Sequence, residues 1–205
     1  MNIFAFLVSL SLLLIAVTVH EFAHGWVAYK LGDNTAKNSG RLSLNPLVHI
    51  DPIGTLLLPI MLFITTNGQF VFGAAKPVPI NYMALKNPKR DIIWIGASGP
   101  ASNFIFAVIL SVIIKNIPLP ALLQFIFSYL ITINVVLGVF NLLPIPPLDG
   151  SRIVMGLLPD RLANSYAKLE RYGFLILVLL LLSGVLNIVV WPTVDVILNW
   201  LFTTL

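Results

Sequence analysis

The sequence predicts an all-α, multi-pass membrane protein with at least four transmembrane helices, carried as a single membrane-embedded domain over residues 1–205. Three observations lead there. Apolar residues make up 58% of the chain and charged residues only 10%, against roughly a quarter charged in an ordinary soluble domain. The mean hydropathy is +0.96, and the apolar residues gather into long runs rather than alternating with polar ones. All of the 12 Lys and Arg residues except Lys115 fall in three stretches, 30–41, 76–90 and 152–171. A net charge of +4 gathered in this way is a topology signal rather than a nucleic-acid footprint, and no nucleic-acid partner is expected. With no cysteine in the chain, disulfides and thiolate ligands are excluded, so any metal must be held by His, Asp or Glu.

The first span is predicted from Ile3 to Tyr29, about 40 Å of helix at 1.5 Å per residue, enough to cross a hydrocarbon core of about 30 Å. Met1-Asn2 supplies no basic leader segment, so this run is expected to be retained. Lys30, Lys37 and Arg41 follow it and mark a cytoplasmic end. Between the first and second long spans, Gly40 to Pro46 (within 40–47) and Gln69 to Ile80 read as short strand-like segments punctuated by glycine and proline. The apolar run over 53–66 contains Pro59 and is too short for a comfortable crossing. It is predicted to be a re-entrant or broken segment, since a full crossing would put Lys76, Lys86, Lys89 and Arg90 outside. Ile92–Ile114 and Ala121–Leu143 are the second and third long spans, joined by a tight connector. Pro144, Pro146 and Pro147 must break the helix after the third. Gly173–Val190 is the fourth span, and residues 191–205 are an apolar tail around Pro192 whose course is left open.

The chemistry concentrates in His20-Glu21-Phe22-Ala23-His24. Residues i and i+4 share a helix face, so His20 and His24 can offer two imidazoles to one metal, with Glu21 free to reach water beside it. An isolated buried histidine is ordinarily a hydrogen-bonded core residue. Two histidines and a glutamate at this spacing inside a span are another matter, because ionisable groups there cost about 2.5–3.5 kcal/mol on insertion scales. A zinc hydrolase site keeps three protein ligands and one open position. The basic stretches bring the third span down toward the cytoplasm, delivering Asp149 at a depth similar to the histidines as the third ligand. The competing reading of Asp149 is an N-cap for the helix beginning near Ser151; Asp51 and Asp91 read as span-end or capping residues. His49 is read as an interfacial residue rather than a spare polar contact near the site. Non-helical backbone over 141–149 is tolerated at membrane depth only beside protein or water, so it is expected to line a hydrated cavity.

His20-Glu21-Phe22-Ala23-His24, then Gly99-Pro100-Ala101-Ser102-Asn103, then Asn141 through Leu148-Asp149-Gly150 resemble, in this order, the site-2 protease family of intramembrane zinc metalloproteases. Gly40–Pro46 and Lys76-Pro77-Val78-Pro79 resemble a compact prokaryotic branch without a PDZ or paired regulatory module. The resemblance implies one Zn2+ per chain on His20, His24 and Asp149, with Glu21 as general base and acid in peptide hydrolysis. It associates Asn141, and less directly Asn103, with positioning the substrate. The implied partners are a transmembrane or membrane-anchored protein substrate and the lipid bilayer. The implied location is the plasma (inner) membrane with the active site near its cytoplasmic side. A metal transporter would string polar residues along several spans, and an idle binding protein would need no Glu21; neither pattern matches as well.

Overall fold

The computed structural model describes residues 2–65, 67, 73 and 75–203. Among these the chain is helical with no β-strand, and three helices are long and apolar enough to span a membrane. The first is α1 (Ile3–Lys30). The Asn2 side chain accepts from Ala5 N–H at 2.8 Å, satisfying one of the donors a helix start leaves unpaired. A short helix α2 (Thr35–Asn38) follows. Pro52–Leu57 is a π-helical turn running into α3 (Leu58–Thr65). The other two long helices are α4 (Pro88–Asn116) and α5 (Ala121–Asn141). Two short helices, α6 (Asp149–Leu157) and α7 (Asp160–Ala167), precede the apolar pair α8 (Gly173–Ser183) and α9 (Val185–Thr203).

The bundle is organised around α4, which packs against α1, α5 and α6. Its core joins Leu12 of α1, Ala107 and Leu110 of α4, Leu130, Ile131, Val135 and Val139 of α5, and Val190, Val194 and Leu201 of α9. Away from that core the helices turn large apolar side chains outward. Ile105 is 60% and Phe125 61% exposed, a pattern suited to lipid, where helices satisfy their own backbone.

Two expectations are revised. The run predicted as one span from Gly173 to Val190 is two helices, parted at Gly184, where φ is +74°. An L-residue in that conformation crowds the following carbonyl, so the α-helix stops there. The undecided tail, as far as Thr203, belongs to the second of these, α9. The strand-like readings also fail among the described residues: 40–47 and 75–80 form no ladder, while 69–72 and 74 lie outside the described residues. Chemistry explains the failure. Pro46, Pro77 and Pro79 have no N–H to give. The N–H groups of Lys76, Val78 and Asn81 go one at a time to His49 O (3.0 Å), Glu21 Oε2 (2.7 Å) and Asp33 Oδ2 (2.7 Å). Asp51 and Asp91 do cap, accepting from Gly54 N–H (2.6 Å) and Asn87 N–H (2.9 Å).

Between α5 and α6 the prolines do what their sequence requires. Helix α5 ends at Asn141, the Pro146–Pro147 bond is cis, and α6 opens at Asp149. Gly150 is the only residue that fits its place, because a Cβ there would run into the carbonyl oxygens of Leu142 and Leu143. This close approach folds the break back on itself and turns Asp149 toward α1.

Candidate metal centre

Helix α1 presents His20 and His24 one turn apart, both buried, with their rings edge to face at 4.7 Å between centroids. Their Nε2 atoms are 3.0 Å apart. Asp149 Oδ2 lies 3.0 Å from the first and 3.2 Å from the second. His20, His24 and Asp149 are the one group of three or more His, Asp or Glu side chains, among the described residues, whose ligand atoms converge in this way. Asp149 is the first residue of α6, with Leu148 at the cap position, so its carboxylate is not serving as the N-cap.

The protons around the cluster can be assigned from acceptors that have no alternative role. His24 Nδ1 is 2.7 Å from the carbonyl oxygen of Ile95. A carbonyl only accepts, so His24 carries its proton on Nδ1 and bares the Nε2 lone pair. Ser98 Oγ stands by at 3.2 Å from the same nitrogen and donates to Ile95 O at 2.7 Å. His20 Nδ1 is 2.6 Å from Asn103 Oδ1, which leaves His20 in the same tautomer. Two imidazole lone pairs and one carboxylate oxygen thus face each other at about hydrogen-bond distance. Asp149 Oδ2 is buried without a hydrogen-bond partner. A proton on one nitrogen would relieve part of this; a divalent cation relieves all three contacts at once. The donor set of two imidazoles and a carboxylate, with the outer nitrogens tied down, fits zinc. Against the burial that pushes the Asp149 carboxyl up, a positive charge on His24 or His20 pulls it well below the usual carboxylate range.

Gly99 of α4 closes the back of the cluster. A Cβ at this position would fall 2.6 Å from His20 Nε2 and closer still to His24 Nε2. The position therefore requires a hydrogen where every other residue has carbon.

In front of the cluster is a cavity of about 270 Å³, lined by His20, Glu21, His24, Asn141, Asp149 and Arg152 among others. Glu21 is partly exposed to it, with Oε2 held by the Val78 N–H. Asn141 also lines it, its amide donating to Leu137 O at 3.0 Å. Asn103 does not share that position: it is fully buried behind His20. His49 stays out of the cluster, wholly buried, with Nε2 donating to Ser43 O at 2.8 Å.

Several residues of the site were given no role in it from the sequence. Buried Arg41 donates to the carbonyl oxygens of Lys76 and Pro77, holding the 75–81 segment across the cavity. Tyr82 lines the same cavity; burial pushes its phenol above the ordinary range, with Arg152 pulling the other way. Arg152 itself is tied to Glu170. The signal available for Arg41 was an arginine at the head of a short polar/apolar alternation, Arg41-Leu42-Ser43-Leu44, which by itself is ordinary.

The sequence model of Peptidase family M50 matches residues 7–121 and 119–184. YwhC of Bacillus subtilis, named as a candidate zinc metalloprotease, is 38% identical over 89% of this chain and 84% of its own. Rip2 of Mycolicibacterium smegmatis, also named as a candidate zinc metalloprotease, is 32% identical over 85% of this chain and 66% of its own. The zinc metalloprotease MJ0392 of Methanocaldococcus jannaschii is 29% identical over 80% of this chain and 35% of its own. No solved structure gives a significant match. With two imidazoles and a carboxylate converging in a membrane-embedded helical bundle, and the family model covering most of its length, the chain belongs to Peptidase family M50, the site-2 protease family of zinc metalloproteases.

Proposed function

We propose that this metalloprotease hydrolyses peptide bonds in or near the transmembrane segments of membrane-embedded or membrane-anchored proteins, from the cytoplasmic side of the plasma membrane. The observation that carries the reading is the convergence of His20 Nε2, His24 Nε2 and Asp149 Oδ2, lone pairs inward, beside a carboxylate in a polar cavity among apolar helices. His20, His24 and Asp149 would hold zinc. Bound there, zinc supplies a Lewis acid that acidifies water and polarises the scissile carbonyl. Glu21 takes the proton from the attacking water and returns it to the leaving amide nitrogen. The Val78 N–H holds one carboxylate oxygen of Glu21 and leaves the other for that water. Asn141, at the cavity lining, is available to orient a substrate amide.

The topology we favour has α1, α4 and α5 crossing the bilayer and α8–α9 together as the fourth passage, with the basic stretches 30–41, 76–90 and 152–171 on the cytoplasmic side. On this reading Pro52–Thr65 does not cross. It is only about 21 Å long as a helix. The chain beyond it also returns to α1 near its end, through Val78 N–H to Glu21 and Asn81 N–H to Asp33.

The deciding experiment uses purified protein in detergent, its zinc content measured, and cleavage of a membrane-spanning peptide compared with that by Glu21→Gln. Zinc is expected to remain at one per chain while cleavage falls by about 10²–10⁴-fold. Cleavage by Glu21→Gln at the wild-type rate would remove Glu21 from the mechanism, and zinc-free protein with both histidines intact would remove the site.

A further inference from the structure

Midway along α5, Asn134 is wholly buried next to Leu130, Ile131 and Val135. A polar side chain at such a depth is costly unless its groups are paired. Both of them are. Nδ2 donates to Leu130 O at 2.8 Å, and Oδ1 accepts from Asn103 Nδ2 at 2.8 Å. Asn103 in turn offers Oδ1 to His20 Nδ1 at 2.6 Å, and its Nδ2 lies 3.4 Å from Ala16 O, a weak second contact.

We propose that Asn134 is a positioning residue for the metal: through Asn103 it sets the tautomer of His20 and so presents the Nε2 lone pair to zinc. The proposal rests on the reading of His20, His24 and Asp149 as the zinc ligands. Its logic is the direction of the hydrogen bonds. The Leu130 carbonyl can only accept, so Asn134 must face it with the amide NH2 and face Asn103 with oxygen. Asn103 must then give its NH2 to Asn134 and its oxygen to His20, whose Nδ1 must donate. The two ligands differ in this respect. His24 meets a backbone carbonyl directly at 2.7 Å, which leaves no choice of tautomer. His20 meets a side-chain amide, which can turn over. Turned over, Asn103 would donate to Nδ1, and the His20 proton would move to Nε2, where a metal must bind. Asn134 removes that option from a position that touches neither metal nor substrate.

The test measures zinc affinity by chelator competition in detergent, together with the His20 tautomer in metal-free protein from ¹⁵N-histidine spectra. The chain has three histidines, so assignment by single substitution is direct. Asn134→Leu is expected to weaken zinc binding by about 10-fold to 100-fold and to give a visible share of Nε2–H His20. Asn134→Asp, neutral when buried, still donates to Leu130 O and accepts from Asn103, and is expected to bind zinc as wild type does. Wild-type affinity and tautomer in folded Asn134→Leu would overturn the proposal, as would equal loss of zinc in Asn134→Asp and Asn134→Leu. If Asn134→Leu does not fold, Asn134→Gln moves the amide by one methylene off its partners, and an unaltered zinc affinity there overturns the proposal equally. His20→Ala separates the two levels. Zinc retained in it defeats the metal site itself, whereas zinc lost in it but not in Asn134→Leu defeats only the role given to Asn134.

Discussion

The cavity has two walls built on different principles. The metal wall comes from α1, α4 and α6, where the candidate ligands are spaced by helix geometry and oriented by groups on the neighbouring helix. The opposite wall, residues 75–81, has no regular structure. It is held by separate bonds from Arg41, His49, Glu21 and Asp33. Hydrogen-bond satisfaction differs in the same sense. Among the described residues, the unpartnered buried side-chain atom on the metal wall is Asp149 Oδ2, a candidate ligand atom; behind the other wall the unpartnered atoms are Arg41 Nε and His49 Nδ1. A helix-built wall can hold three atoms to a few tenths of an ångström because its backbone is already satisfied. An irregular wall depends on each tether separately, so it can yield locally to an extended peptide without disturbing the metal. Glu21 belongs to both: it sits on α1 beside the ligands and accepts from the far wall.

The sharpest way to break this division is Gly99→Ala. The added carbon intrudes on both Nε2 atoms, while the substitution favours helix. Zinc affinity is expected to fall at least about 10-fold, the scale of losing a ligand-orienting contact, with no loss of chelator-treated thermal stability from helix propensity. Unchanged zinc affinity would mean that the metal wall is softer than its geometry. Val78→Pro acts on the other wall. It deletes the N–H that holds Glu21, at a residue already confined to extended backbone by Pro79. Zinc content should stay at wild type while kcat drops by roughly 10-fold, the scale of one charge-assisted hydrogen bond; a parallel loss of zinc would show that the walls are coupled. The smallest effect is expected from Arg41→Lys. The lysine keeps the charge but loses the planar guanidinium whose Nη2 reaches both Lys76 O and Pro77 O. A rise in KM of about 2-fold to 5-fold, from loosening a contact worth near 1 kcal/mol, with kcat nearly kept, would match a tether of the substrate wall.

This contrast also explains which parts of the molecule were legible in the sequence. The histidine pair and Glu21 were legible because a helix converts sequence spacing into spatial position. The meeting of Asp149 with the two histidines was expected from the charge pattern, and the prolines before Asp149 marked where the third long helix stops. The described part of the 69–80 reading, 75–80, was misread as strand. The proline punctuation in that stretch is real, but pairing depends on what its N–H groups meet, and they meet Glu21, His49 and Asp33 from distant parts of the chain. Gly184 was passed over because a single glycine in an apolar run is compatible with a continuous helix until its φ is known. Asn134 was passed over for a related reason. A polar residue inside a span is a signal, yet its partner, Asn103, is supplied by another helix.

By itself the sequence determined the membrane class, the three long helices, the two-histidine face with its glutamate, and the break that ends at Asp149. Those follow from local rules: hydropathy against bilayer thickness, helical period, and the missing N–H of proline. Only the tertiary structure decided which nitrogen of each histidine is bare, which hydrogen atom at Gly99 makes room for the cluster, and which backbone N–H holds Glu21. Each of these depends on a donor or acceptor contributed by a second segment, and no residue's own neighbours in sequence state which partner it will meet.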